Sequence, residues 1–148
     1  MFVSQKCQYA LRATYELAKR YGQGPIAISQ IAEVQAIPAK FLELILGQLR
    51  QAGFVESRRG AQGGYLLAVV PGQLSAGAII RFIDGPIAPV RCVSGEATHD
   101  CPLHGRCSFM GMWTRARDAM SSVYDQTTFA DLIEQEQSAQ ACSHSYSI

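Results

Sequence analysis

Residues 28–70 read ISQIAEVQAIPAKFLELILGQLRQAGFVESRRGAQGGYLLAVV, and the order of helical and β-prone patterns in them indicates the fold. It begins with a short helical pattern that Ser29 is placed to cap. A longer helical pattern follows Pro38, a residue tolerated in the first turn of a helix, and Gly53 predicts its end. The β-prone runs FVES and YLLAVV then flank a turn rich in glycine and arginine, which is typical of a hairpin.

One helical pattern precedes this stretch and three follow it. Residues 7–21 space their apolar side chains as a helix does, and residues 74–85 predict a helix capped by Ser75. Residues 108–126 predict a long amphipathic helix with apolar positions Phe109, Met112, Trp113, Ala116, Met120 and Val123. Residues 127–136 predict a final helix capped by Thr127 or Thr128. The expected fold is mainly α, a winged helix-turn-helix with a long C-terminal dimerisation helix.

Four segments are predicted along the chain. Residues 1–80 form the DNA-binding domain, 81–107 a connecting helix and cysteine-rich cofactor loop, 108–136 the dimerisation helix and C-terminal helix, and 137–148 a flexible tail. A hydrophobic content of 48% with 17% charged residues predicts a packed core and excludes disorder. The apolar runs are too short to span a bilayer and the N-terminus lacks a signal peptide's apolar region, so a cytoplasmic location without membrane contact is expected.

The charge is divided unevenly along the chain. Residues 1–66 contain eight Lys or Arg and four Asp or Glu, a net +4, whereas residues 67–148 contain five and eight, a net −3. A basic front half suits a chain that touches an anionic polymer with one end, and the predicted motif makes that polymer double-stranded operator DNA.

The second helix of the motif and the hairpin tip supply the candidate DNA contacts. The N-terminal turn of that helix presents Lys40 and Glu43 to the major groove, although both would also suit a solvated helix face. Arg58 and Arg59 precede three glycines, which predicts a tip able to approach DNA closely. The predicted DNA-binding residues are Ser29, Gln30, Ala39, Lys40, Phe41, Glu43, Arg50, Arg58, Arg59 and Gln62.

Three of the five cysteines crowd into the stretch RCVSGEATHDCPLHGRCSF, residues 91–109. Cys92, Cys101 and Cys107 supply soft ligands on one connecting loop, which favours metal or redox chemistry over a disulfide framework. Three interpretations remain open on the spacing alone. They are an iron–sulfur cluster, a Cys₃His zinc site that adds His104, and cofactor-free thiols that oxidise.

Several of these segments together resemble the Rrf-two family of bacterial transcriptional regulators. The likeness is carried by RRGAQGGYLL, IIRFIDGPIAPVRC and MWTRARDAMSSVYDQTTFADL, and it extends to about residue 136. It implies a winged helix homodimer paired through the long helix, with Glu43 and Arg59 in DNA recognition. It also implies an iron–sulfur cluster on Cys92, Cys101 and Cys107, of the 2Fe–2S type in preference to 4Fe–4S.

The chain departs from the cluster-binding members of that family at the ligand positions. Eight residues separate Cys92 from Cys101, a longer spacing than in those members. Met110 stands where some of them have a histidine, and Gln8 stands where others have a carboxylate. The fourth ligand is therefore open among His104, His99, Asp100 and Cys7 of a neighbouring subunit.

No catalytic motif is present in the sequence. P-loop, G-x-S-x-G, H-E-x-x-H and C-x-x-C patterns are missing, so neither an enzyme nor a small-molecule substrate is expected. The sequence predicts a homodimeric transcriptional regulator that senses redox or iron–sulfur status through a cluster. The alternative is a thiol- or zinc-based regulator of cysteine or sulfur metabolism without such a cluster.

Overall fold

Helix α1 (Gln5–Lys19) begins where Ser4 caps it, because the Ser4 hydroxyl accepts a hydrogen bond from the Cys7 N–H at 3.1 Å. Ser4 is itself held by Asp84, whose carboxylate accepts bonds from its backbone N–H at 2.8 Å and its hydroxyl at 2.5 Å. The structure is a computed structural model that describes residues 1–96 and 101–145. Within them, six α-helices and one two-stranded sheet confirm the predicted winged helix architecture.

The two helices of the DNA-binding motif pack against α1 through one apolar stripe. Helix α2 (Ile28–Gln35) is followed by α3 (Ala39–Gln51), which turns four side chains into the core: Leu42, Ile45, Leu46 and Leu49. The predicted cap at Ser29 is wrong, since α2 already starts at Ile28 with Ala27 in the cap position. Backbone pairing between Ile26 and Tyr65 keeps the chain extended up to that point.

The predicted hairpin forms the wing. Strand β1 (Val55–Arg58) pairs antiparallel with β2 (Gly64–Leu67), and Ile26 adds a short third pairing through Tyr65. A β-carbon on Gly63 would collide with the Arg58 carbonyl, and one on Gly64 with the Ile26 carbonyl. The wing's own packing therefore requires these two glycines, and the close approach of the tip to DNA stays a prediction.

Helix α4 (Ala76–Asp84) connects the wing to the rest of the chain. Its predicted cap is confirmed, because the Ser75 hydroxyl accepts a bond from the Ala78 N–H at 3.2 Å. Phe82 packs edge-to-face on Phe54 at the base of the wing, with ring centroids 5.6 Å apart. The helix also runs across the domain boundary predicted at residue 80.

Helix α5 (Met110–Gln126) confirms the predicted long helix but divides its apolar residues between two faces. None of its residues, all of which the structure describes, is fully buried. Met120 and Tyr124 pack on a small cluster formed by Cys7, Ile80 and Ile87. Met120 therefore packs against its own chain, whereas the sequence predicted one stripe with all six apolar residues together. A neighbouring face of the helix carries the outer stripe, which consists of Met112, Ala116, Ala119 and Val123.

Helix α6 (Phe129–Ser145) closes the fold and anchors it at its first residue. Thr128 caps it, since its hydroxyl accepts from the Asp131 N–H at 3.1 Å while its own N–H donates to Asp131 Oδ2 at 2.8 Å. Phe129 is fully buried in the core. The helix continues past residue 136 to Ser145, into the segment predicted as a flexible tail. Within the described residues no helix is both long and apolar enough to cross a membrane.

Candidate nucleic-acid interface and cysteine loop

The outward face of α3 is the first component of the candidate interface. Its buried stripe points inward, so Lys40, Phe41 and Glu43 are left at the surface with Ala39 at the helix start. In the described part of the chain no side chain caps this helix at Pro38. Helix starts carry unpaired N–H groups and a partial positive charge, which suit phosphate oxygens.

The end of α3, the wing and α2 supply the other predicted contact residues, and the structure places all ten at the surface. Those six are Arg50 of α3, the wing residues Arg58, Arg59 and Gln62, and Ser29 and Gln30 of α2. Arg50 joins the helix to the wing, because its Nη1 donates to the Ser57 hydroxyl at 3.1 Å. The cations lie on neighbouring elements, which gives this surface the charge that an anionic partner requires. Their contact with DNA remains a prediction.

Two residues of α1 that no sequence motif predicts hold the turn between α2 and α3. Arg12 of α1 donates to the Gln35 carbonyl and, at 3.1 Å, to the Ala36 carbonyl, while buried Glu16 accepts from the Gln35 side-chain amide at 2.9 Å. Ala36 has a left-handed backbone with a φ of 50°. This conformation costs an alanine about 1 kcal/mol, so the bonds from α1 help to keep the turn in place. Helical periodicity alone carries no signal for such contacts.

The three loop cysteines lie between α4 and α5 but are not gathered. Cys92 is half-buried in a single 3₁₀ turn, Arg91–Val93, Cys107 is half-buried just before α5, and Cys101 is exposed. Among residues 1–96 and 101–145 no three His, Cys, Asp or Glu side chains lie together as metal ligands would. The predicted zinc tetrad with His104 is thus not assembled in this arrangement. His99 and Asp100 lie outside the described residues.

Cys7 is a poor candidate for a fourth ligand. Its side chain is 0% exposed and packs in the small cluster with Ile80 and Ile87. Burial, assisted by the charge of Asp84 and a hydrogen bond to it, raises the pKa of the Cys7 thiol to about 12. Because the thiolate is the form that binds metal, this thiol is better explained as a core residue.

Comparisons with known proteins place this arrangement among transcriptional regulators. The model of the Rrf2 family, described as an iron-dependent transcriptional regulator, matches residues 3–135. The transcriptional regulator CymR of Bacillus subtilis (strain 168) is 40% identical over 132 residues, which cover 89% of this chain and 89% of CymR.

Two solved structures share the fold over most of their length. CymR, the global cysteine regulator of B. subtilis, superposes with a TM-score of 0.76 at 39% identity, covering 91% of this chain and 98% of CymR. IscR of T. potens superposes with a TM-score of 0.76 at 33% identity, covering 95% of this chain and 91% of IscR.

Proposed function

The chain belongs to the Rrf2 family of transcriptional regulators, and from that membership we propose that it is a homodimeric, operator-binding regulator that senses its signal through the cysteine loop. Family members are regulators and not enzymes, in agreement with the missing catalytic motifs. One observation carries the proposal: Lys40 and Arg50 of α3 and Arg58 and Arg59 of the wing are all exposed, and the Arg50–Ser57 bond joins these two elements.

The residues of this surface divide into reading and positioning roles. Glu43 reads a base edge, because a carboxylate in the major groove accepts from the cytosine amino group and is otherwise repelled by phosphates. Arg59 binds the backbone or a narrow minor groove from the wing tip, and Ser29 and Gln30 contact the backbone from α2.

Binding to a selected operator tests this proposal. Arg59→Ala should weaken binding and reduce the slope of log K against log salt concentration by about one unit, since one phosphate contact is lost. Arg106→Ala, an exposed arginine outside the motif, is the matched control and should leave the slope unchanged. Glu43→Ala should alter the selected sequence more than the affinity. Failure of the wild-type protein to select any sequence would refute the proposal.

Dimerisation through α5 follows from its outer stripe. Met112 and Val123 are 49% and 63% exposed, and Ala116 and Ala119 between them allow a second helix to come close. Pairing across a two-fold axis buries this surface and presents two recognition helices to a palindromic site.

Sedimentation of two glutamate variants tests the dimer. Ala119→Glu should yield a folded monomer, because it places a charge inside the paired stripe. Ser122→Glu, on an exposed position away from that stripe, should stay dimeric. A wild-type protein that sediments as a monomer while binding its full operator tightly would contradict the dimer.

The cysteine loop is proposed as the sensor because its three thiols are suitable metal ligands. Three thiols on one connecting segment fit the soft ligand set of an iron–sulfur cluster, and Cys92, Cys101 and Cys107 would hold it. When bound, a cluster would supply a crosslink whose presence depends on iron and oxidants. The loop follows α4 and leads into α5, so a constraint on it would act on the angle between the DNA-binding motif and the dimer helix.

Cofactor-free thiol sensing is the second candidate, because the three cysteines are not gathered and a relative at 40% identity is CymR, the global cysteine regulator of B. subtilis. Metal analysis and a visible spectrum of anaerobically purified protein separate the two. Iron and sulfide in equal amounts, lost in each of Cys92→Ser, Cys101→Ser and Cys107→Ser but kept in Cys142→Ser, support the cluster. Colourless protein free of iron and zinc supports thiol sensing, and colourless protein with zinc supports the Cys₃His site.

A further inference from the structure

Leu44 stands on the outward face of α3 without a role in the core. Its side chain is 67% exposed, whereas the inward stripe of the same helix is complete and almost fully buried without it. Leu44 lies one helical turn after Lys40 and directly follows Glu43. Single exposed leucines are ordinary on a protein surface, but this one lies at the centre of the face assigned to DNA.

Gly47 lies on the same face, three residues further along the helix. A glycine in a helix interior costs about 1 kcal/mol relative to alanine. A β-carbon at Gly47 would meet no atom of the described residues within 4 Å, so the chain's own packing does not require this glycine. The helix therefore has no side chain at residue 47, which allows another molecule to approach its backbone closely.

The major groove offers one apolar group that fits such a side chain. Thymine carries a 5-methyl group there, whereas the other base edges present hydrogen-bond donors and acceptors. An exposed leucine beside a carboxylate can therefore distinguish thymine by an apolar contact while the carboxylate contacts a neighbouring donor. Removing a leucine and a methyl group from water together is favourable in proportion to the apolar area buried.

We propose that Leu44 is a specificity-determining residue that contacts the 5-methyl group of a thymine in each operator half-site, and that Gly47 lets the α3 backbone approach the DNA there. The inference rests on the proposed operator binding and adds a base preference that Glu43 and the wing arginines do not explain. Leu44 is already exposed, and no described atom lies within 4 Å of where a β-carbon on Gly47 would stand.

A double-mutant cycle between protein and DNA tests the contact. The operator selected by the wild-type protein is resynthesised with deoxyuridine in place of each thymine in turn, which removes only the methyl group. One symmetric pair of thymines should lose roughly fourfold in affinity per methyl, the value expected for one buried methyl-sized group. Leu44→Ala should bind the unmodified operator more weakly by a similar or larger factor and show no further loss at that thymine.

Two further variants make the outcome specific. Val70→Ala, another exposed aliphatic position outside α3, should retain the full sensitivity to deoxyuridine. Gly47→Ala should raise the thermal stability, since alanine favours the helix, and should lower the operator affinity, since its methyl group meets the DNA.

The results separate failure of this inference from failure of operator binding. If the wild-type protein selects no sequence, the proposed function fails and the inference fails with it. If it selects an operator but the effects of Leu44→Ala and deoxyuridine simply add at every thymine, only the Leu44 contact is refuted. Gly47→Ala with higher stability and unchanged affinity would overturn the close approach.

Discussion

Where α5 crosses α4, the Asp125 carboxylate lies directly against Gly77. Its carboxylate accepts two hydrogen bonds from Arg81, at 2.5 Å from Nη1 to Oδ1 and at 2.8 Å from Nη2 to Oδ2. A β-carbon on Gly77 would collide with the Asp125 Oδ1. A side chain at residue 77 would therefore push the Asp125 carboxylate away from Arg81. Since α4 also contacts the wing through Phe82, this crossing holds the DNA-binding motif to the helix with the outer stripe.

Gly77→Ala should destabilise the protein by about 0.5 kcal/mol, because the added methyl group displaces the Asp125 carboxylate from its pair with Arg81. Urea unfolding followed by circular dichroism measures the change. Gly111→Ala, in α5 where a β-carbon meets no described atom within 4 Å, is the control and should be neutral or slightly stabilising. Equal stability of Gly77→Ala and wild type would contradict the crossing described above.

The Arg81–Asp125 pair should make a small contribution to stability that is lost in acid. Hydrogen bonds from Arg81 hold the pKa of the Asp125 carboxyl below its ordinary value. The stabilisation is therefore complete above the pKa of the unfolded chain and disappears as the pH falls through the lower pKa of the folded protein. Both side chains are 42% exposed, so we expect only about 0.5 kcal/mol.

Comparison of wild type with Asp125→Asn at two pH values measures this contribution. The unfolding free energies should differ at pH 7 and converge in stronger acid, once the pH lies below the lowered pKa of the Asp125 carboxyl in the folded protein. A difference that stays constant between the two conditions would show that titration of Asp125 plays no part.

Ala36→Gly should stabilise the protein by about 0.5 kcal/mol, because glycine adopts the left-handed backbone of that position without steric cost. Thermal unfolding is the measurement. Ala52→Gly, at a helix end with an ordinary φ of −79°, is the control and should be neutral or destabilising. If both variants lose stability equally, the strain assigned to Ala36 is absent.

Cys7 should resist alkylation in the native protein at pH 8, because its thiol is buried and its pKa is raised to about 12. Mass spectrometry of metal-free protein after iodoacetamide treatment should find Cys101 and Cys142, which are exposed, modified first. Unfolding in guanidinium should make Cys7 as reactive as the others. Native labelling of Cys7 at the rate of Cys142 would argue against its place in the core.

Most helix and strand ends, and the order of these elements, were predictable from the amino-acid sequence alone. Ser75, Thr128 and Gly53 affect only helix ends within a few residues of their own positions. Their effects can therefore be predicted without knowledge of the fold. The surface position of the five predicted DNA contacts on α3 was also predictable, since helical periodicity separates the inward from the outward face of that helix.

Features that depend on residues far apart in the chain emerged only when the helices and the wing packed together. Gly63 and Gly64 are required by the Arg58 and Ile26 carbonyls, and α5 divides its apolar residues because α4 covers one of its faces. Three cysteines within sixteen positions are close in sequence but not gathered in space. A sequence pattern reflects which residues are neighbours along the chain. Burial, steric clashes at glycines and the distances between possible metal ligands depend instead on how separate elements pack together.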